Sequence, residues 1–322
     1  MALPTSGPLT LDDIHVEAGG TTATTASIND ADIRGLLSPV PASGSTMDFS
    51  DWYGASNAAP IQATGGTITT INGYRYHDFK SGGTFNISAI ASGTYSNTLT
   101  IFLVAGGGGG AGKGGGGGGG ADCLLTSVAA STGNKTVTIG AGGAGVYAAF
   151  PDTGIGGTGG TTSITGLGVA SVTGGLGGVN QYASSSIRQH GGDSGNGNIG
   201  GSNVYIYSSS CSTGGGAGYS GGGQNAVDEF NAARGGNGYT LAGFTDAINN
   251  VKMAGGGGGV AWAGNIYQDS GEGRFGGSDG SDNLGGQGPA ASPNRGGGGG
   301  GNYNGTGGDG GSGRVIIKYE YS

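Results

Sequence analysis

Several short segments carry the residue types of catalytic or ligand-holding loops. Gly107 to Lys113 has the spacing of a phosphate-cradling loop, yet Gly114 stands where a magnesium-binding Ser or Thr is needed. No helix-forming run follows it. Gly218-Tyr219-Ser220-Gly221-Gly222 has the spacing of a nucleophile turn, without the strand-to-helix setting that exposes the serine. Gly192-Asp193-Ser194-Gly195 follows His190, but nothing around it completes a triad. Within 277–284, Asp279 and Asp282 offer hard oxygen ligands for a cation. A single copy of such a segment cannot build a stacked roll, so an acidic turn is expected.

The remaining chemical candidates are equally sparse. Asp12/Asp13 and Asp228/Glu229 are adjacent carboxylates that fit a solvated helix and a loop. His15, His77 and His190 lie far apart and no CxxC exists, so four-ligand zinc is unsupported. Cys123 and Cys211 allow one disulfide or two thiols. The expectation is a non-enzymatic protein with no catalytic residues, no metal site and no cofactor. Glycine motifs arise by chance here, because 84 of 322 residues are glycine.

That composition also narrows the class. Charged residues are 10% of the chain, too few for highly charged disorder. The glycines come in blocks rather than at every third position with abundant proline, which excludes collagen. No apolar run reaches the length of a membrane-spanning helix, and no ordinary signal peptide is expected at the start. The net charge of −8 disfavours contact with phosphates, so no nucleic-acid partner is expected.

The elements that must position any site fall into two expected domains. Residues 1–57 hold few glycines. Thr10 is placed to cap a helix over LDDIHVEA, Ser27 or Asn29 to cap DADIRGLLS, and Thr46 to open a turn over MDFSDWYG. Three such short helices make either a small subdomain or an adaptor that docks on a partner. Residues 58–322 form the second domain. Strands are expected at Thr67–Ile71, Tyr74–Phe79, Thr84–Ile90, Leu99–Val104, Leu124–Val128 and Thr136–Ile139, and over 314–322. Asn72-Gly73 is a two-residue hairpin signal.

Between these strands, residues 105–313 alternate glycine blocks with longer inserts. Glycine loses the most backbone freedom on ordering. Blocks that recur so often therefore need a repeated compensation. Polyproline-II-type helices have three residues per turn and no internal hydrogen bonds. Without side chains they can pack side by side and bond laterally. The fold class expected is mainly β and irregular: a small helical N-terminal segment, a β framework, and a polyglycine-II helix bundle with long surface loops. The inserts carry Tyr182, Tyr205, Tyr207, Phe230, Tyr239, Phe244, Trp262 and Tyr267 among Asn, Ser and Gly. That palette suits binding loops, and it equally suits packing against the edges of the bundle.

MALPTSGPLTLDDIHVEAGG, SINDADIRGLL and MDFSDWYGAS resemble the opening segment of many tailed-phage virion proteins. LTIFLVAGGGGGAGKGGGGGGG, TVTIGAGGAG and GGDGGSGRVIIKYEY resemble the glycine-rich domain of phage tail fibres and adhesins. The resemblance implies a tail-associated protein located in the virion, and in the bacterial cytoplasm before assembly. It implies attachment to other tail or baseplate proteins through residues 1–57, with Ile14, Ile33, Leu36, Phe49, Trp52 and Tyr53 as candidates. It implies a host cell-surface receptor, a polysaccharide or an outer-membrane protein, bound by the aromatic loops named above. A homotrimer is among the assemblies it allows. The alternative is a purely structural decoration or baseplate component. The resemblance also implies a β framework closed by the C-terminal strand, with Val315–Tyr319 joining the sheet of Leu99–Val104.

Overall fold

The computed structural model describes residues 2–37, 39–112, 115–147, 154–180, 190–207, 210–228, 230–244, 251–263, 266–282 and 285–321. Strand makes up 27% and helix 5%, and among the described residues no sheet closes into a barrel.

The first 57 residues build a small core of their own. Helix α1 (Leu11–Glu17) starts as expected at Thr10, which accepts from the Asp13 N–H while the Asp13 carboxylate accepts from the Thr10 N–H. Helix α2 is a single turn, Ala31–Arg34, and its N-cap is Asp30, not Ser27 or Asn29. The glycine at 35 ends it before the apolar Leu36 and Leu37. A 3-10 turn spans Phe49–Trp52, with Asp48 and Asp51 closing its capping box. Leu3, Ile14, Ile33 and Trp52 are buried together, and the Trp52 indole donates to the Ile33 carbonyl at 3.0 Å.

The β framework is two sheets on one core. Strands β1 (Gln62–Thr64), β4 (Gly83–Ala89), β7 (Gly133–Thr138) and β8 (Ser163–Ile164) form the first, in the order β1-β4-β7-β8. Strands β2 (Thr67–Ile71), β3 (Tyr74–Phe79), β5 (Thr98–Val104), β6 (Cys123–Ala129) and β15 (Arg314–Glu320) form the second, in the order β2-β3-β15-β5-β6. Ile87, Phe85 and Val137 of the first share a cluster with Ile101, Leu103 and Ile317 of the second. The C-terminal strand lies between β3 and β5, pairing Ile316 with Phe102 and with Asp78. The expected closure is therefore present, and Arg314 locks it with two bonds to Asp78 at 2.6 and 2.7 Å.

Glycine segments stack beyond these sheets with a three-residue period. Along residues 106–111, successive N–H groups donate to Gly160, Gly311, Gly119, Gly157, Gly308 and Gly116. Residues three apart thus reach the same neighbouring segment. The carbonyls of residues 106, 107 and 108 accept from Gly175, Gly143 and Gly299. One extended helix is bonded to six others, which is the lateral arrangement open to a polyproline-II-type backbone.

The same bonds order the segments into four layers. Residues 154–160, 174–180, 190–196 and 199–203 make one outer layer. Next come 140–146, 105–111, 115–121, 212–218 and 221–226. Behind them lie 307–313, 296–302, 254–259 and 233–238, and then 287–291, 277–282 and 271–274. A Cβ on Gly107 would run into the Gly297 carbonyl, and one on Gly118 into that of Gly108. Short polar side chains substitute where a backbone partner is missing. Ser278 Oγ accepts from the Gly300 N–H at 2.7 Å, and Asp309 from that of Gly145 at 2.7 Å.

Candidate functional site

Hydrogen-bond direction assigns each insert to one end of the stack. Residues 105–111 leave β5, and residues 115–121 lead into β6, so Ala105 and Ala121 mark the sheet end. Gly117 and Gly120 donate to Gly214 and Ala217, so residues 212–218 run toward the sheets. Gly298 and Gly301 donate to Gly255 and Gly258, so residues 254–259 run away from them, parallel to 296–302. Strand β10 (Ser210–Ser212), just before the first of these, and β13 (Val260–Ala263), just after the second, therefore lie at the far end.

There they join β9 (Val204–Tyr207) and β14 (Ile266–Ser270) in a four-stranded sheet, β14-β13-β10-β9. Its register sets Tyr205 opposite Cys211, Cys211 opposite Trp262, and Trp262 opposite Tyr267. These four positions form one row across all four strands. Tyr207 stands in the next row, opposite Ser210. The loop carrying Phe230 is tied to the same sheet. Ser212 Oγ donates to the Asn231 carbonyl at 2.7 Å, and the Ala232 N–H donates to Asp269 at 3.2 Å. Phe230 is 52% exposed, and Val227 beside it is 83% exposed. Asp228 shapes this loop by accepting from the N–H groups of Phe230 and Asn231 and from the Asn231 amide. Those bonds hold its carboxyl below the usual range, the Asn231 side chain contributing most.

Two aromatics grouped with this set in the sequence lie elsewhere. Tyr239 and Phe244 sit at the sheet end, on the hairpin of β11 (Tyr239–Leu241) and β12 (Val251–Met253). Tyr239 stacks on Phe102 with ring centres 5.6 Å apart, and Phe244 is buried against Tyr76. They supply core. Tyr182 lies outside the described residues, as do Lys113, Gly114, Glu229, Asn283 and Leu284.

The N-terminal candidates also divide. Ile14, Ile33 and Trp52 are fully buried in the small core, and Leu36 packs against it. Phe49 and Tyr53 remain 42% and 38% exposed.

The catalytic-looking segments are parts of the lattice. Ser194 Oγ donates to Asn196 Oδ1 at 2.5 Å, and His190 Nδ1 faces the Gly191 carbonyl. His190 and Asp193 approach to 3.8 Å, but Asp193 also accepts from the Gly200 N–H at 3.0 Å. Ser220 Oγ donates to the Gly238 carbonyl at 2.7 Å. Asp279 accepts from the Gly273 N–H at 2.7 Å. Among the described residues no group of three or more His, Cys, Asp or Glu is placed to hold a metal, and no helix is long and apolar enough to cross a membrane. Cys123 is a free, buried thiol, pushed well up by desolvation.

Sequence reading missed the side chains that staple the far end. Buried Asn302 donates to the Thr306 carbonyl at 3.0 Å and accepts from the Gly305 N–H at 3.1 Å. Thr213 Oγ1 donates to the Gly115 carbonyl at 3.0 Å and accepts from the Val260 N–H at 2.8 Å. The signal was a lone Asn or Thr at the rim of a glycine block, which is also what an ordinary turn looks like.

Residues 80–320 match the family described as a glycine-rich domain. That stretch is most of the chain, and the protein belongs to that family. No curated protein matches the chain.

Proposed function

We propose that this chain is a tail-associated phage virion protein, a fibre or adhesin that binds a host surface receptor through the far end of its glycine stack. One observation carries the reading. Tyr205, Trp262 and Tyr267 occupy one row of a sheet mounted on the stack, with the exposed Phe230 loop tied to it. A rigid platform lowers the ordering cost of binding. The opening segment would attach the protein to tail or baseplate neighbours, and of the candidates named above Phe49 and Tyr53 are the exposed ones, the Tyr53 hydroxyl donating to the Gly7 carbonyl. The chemistry needed is recognition alone, without bond breaking.

The test is competition. The purified chain should bind host cells and reduce phage adsorption, and a Trp262→Ala/Tyr267→Ala variant that keeps its fold should do neither. If the variant competes as well as the parent, receptor contact lies elsewhere. A chain that enters virions but never binds cells supports the structural-component alternative.

A further inference from the structure

We propose that strand β2 is a self-association edge, through which two copies pair antiparallel about Thr69 into one continuous sheet. This goes beyond the adhesin reading and does not depend on it.

Strand β2 ends the order β2-β3-β15-β5-β6 and, among the described residues, pairs only with β3. Thr67, Ile68, Thr69 and Thr70 are all exposed. An open edge is normally blunted by charge, proline or a bulge. The sequence Thr-Ile-Thr-Thr-Ile has no charge and no proline, and its register with β3 is unbroken. The opposite edge, β6, differs: Leu124 and Val128 along it are half-buried against the core.

The hairpin sets which backbone groups are free. Asn72 and Gly73 both have positive φ, as a two-residue type I′ turn requires. The flanking pair Ile71–Tyr74 is then a hydrogen-bonded pair, and pairs alternate from there. Thr69 and Thr67 also bond to β3. Ile68 and Thr70 therefore direct their N–H and C=O groups outward.

Those two residues specify the partner. An antiparallel strand centred on Thr69 sets Ile68 opposite Thr70 of the other copy, and Thr70 opposite its Ile68. Each such pair exchanges both bonds, so the free groups of both copies are used. The remaining pairs are Thr69 with Thr69 and Thr67 with Ile71, compatible cross-strand neighbours. A second copy meets this register because Ile68 and Thr70 lie one residue either side of Thr69, so a two-fold axis there sets the free groups of each copy against those of the other, and all five residues are β-branched. It also meets no like charge across the contact, in a chain whose net charge is −8.

The test uses the full chain. Sedimentation should show a dimer that Ile68→Lys converts to monomer, because a lysine on the edge leaves the bonds to β3 intact. Under mild oxidation, Thr69→Cys should give a disulfide-linked dimer, several-fold more than Thr67→Cys. Two Thr69 positions face each other directly, whereas two Thr67 positions lie about 13 Å apart along the strands, beyond disulfide reach. A monomer or a trimer in sedimentation would overturn the proposal. So would a dimer unaffected by Ile68→Lys, or equal linking at positions 67 and 69.

Discussion

The Tyr319 hydroxyl, three residues before the chain ends, meets His77 Nε2 at 3.0 Å. The other ring nitrogen, Nδ1, lies 2.7 Å from the Gly65 carbonyl. A carbonyl only accepts, so Nδ1 carries the proton and Nε2 accepts from Tyr319. The rings stack with centres 5.6 Å apart, and Phe85 meets His77 edge-on. A neutral histidine thus joins β3 to the closing strand inside the core. Burial pushes the Tyr319 phenol up to about 12 and His77 down, with the Arg75 charge a smaller cause for the latter.

The His77 shift gives a sign to the acid limb of stability. The unfolded chain protonates His77 near pH 6.5, and the folded chain only below that. Stability from this group is complete above about pH 6.5 and falls as pH drops toward the lower folded value. Thermal unfolding between pH 7 and 5 should show this loss, and His77→Gln should flatten it. Tyr319→Phe leaves Nε2 buried without a donor and should cost about 1–3 kcal/mol at pH 7, read from urea unfolding.

Glycines inside the stack should resist the smallest substitution. Gly118→Ala places a methyl against the Gly108 carbonyl. The backbone on both sides is held by bonds to several layers, so overpacking should cost roughly 1–3 kcal/mol or more. Gly82→Ala meets only the Val137 carbonyl at 3.4 Å and should stay within about 0.5 kcal/mol. Melting temperatures of the two variants compare them directly.

The ion pair that locks the closing strand should matter as a pair. Arg314 and Asp78 are 12% and 13% exposed at their side chains. Asp78→Asn strands a mostly buried guanidinium, at a cost of roughly 3–5 kcal/mol. Arg314→Lys keeps the charge but loses the two-pronged bond, and should recover only part of it. Chemical denaturation of the three chains gives the order.

The N-terminal core predicts a separation of its stability from the attachment proposed for it. Trp52→Ala empties a fully buried site and should cost about 3–5 kcal/mol locally. Limited proteolysis should then remove residues before about position 57 and leave the β framework intact. If the opening segment attaches to a phage tail as proposed, Phe49→Ala should leave the protease pattern unchanged while weakening incorporation into virions; Tyr53→Ala also loses the bond to the Gly7 carbonyl.

Much of the framework was legible because strands announce themselves locally. Thr67–Ile71 and Tyr74–Phe79 follow from β-rich residues around Asn72-Gly73, and both have the expected bounds. The insert hairpins β9–β10 and β13–β14 were not legible as one sheet. Their pairing joins residues some fifty positions apart, and only the lattice segments between them bring them together. Tyr239 and Phe244 read like the other loop aromatics, since residue type carries no record of which end of the stack a hairpin reaches.

By itself the sequence determined the strands of the β framework and the need for glycine helices, because backbone preference and the absence of side chains are local properties. The C-terminal closure, which pairs Ile316 with Phe102 and Asp78, was expected only from the family resemblance. Only the tertiary structure decided the layer order and which aromatics share an end. A glycine segment has no side chains to choose its neighbours. Its six bonding directions look alike from the sequence, and the choice among them is made by the segments that surround it.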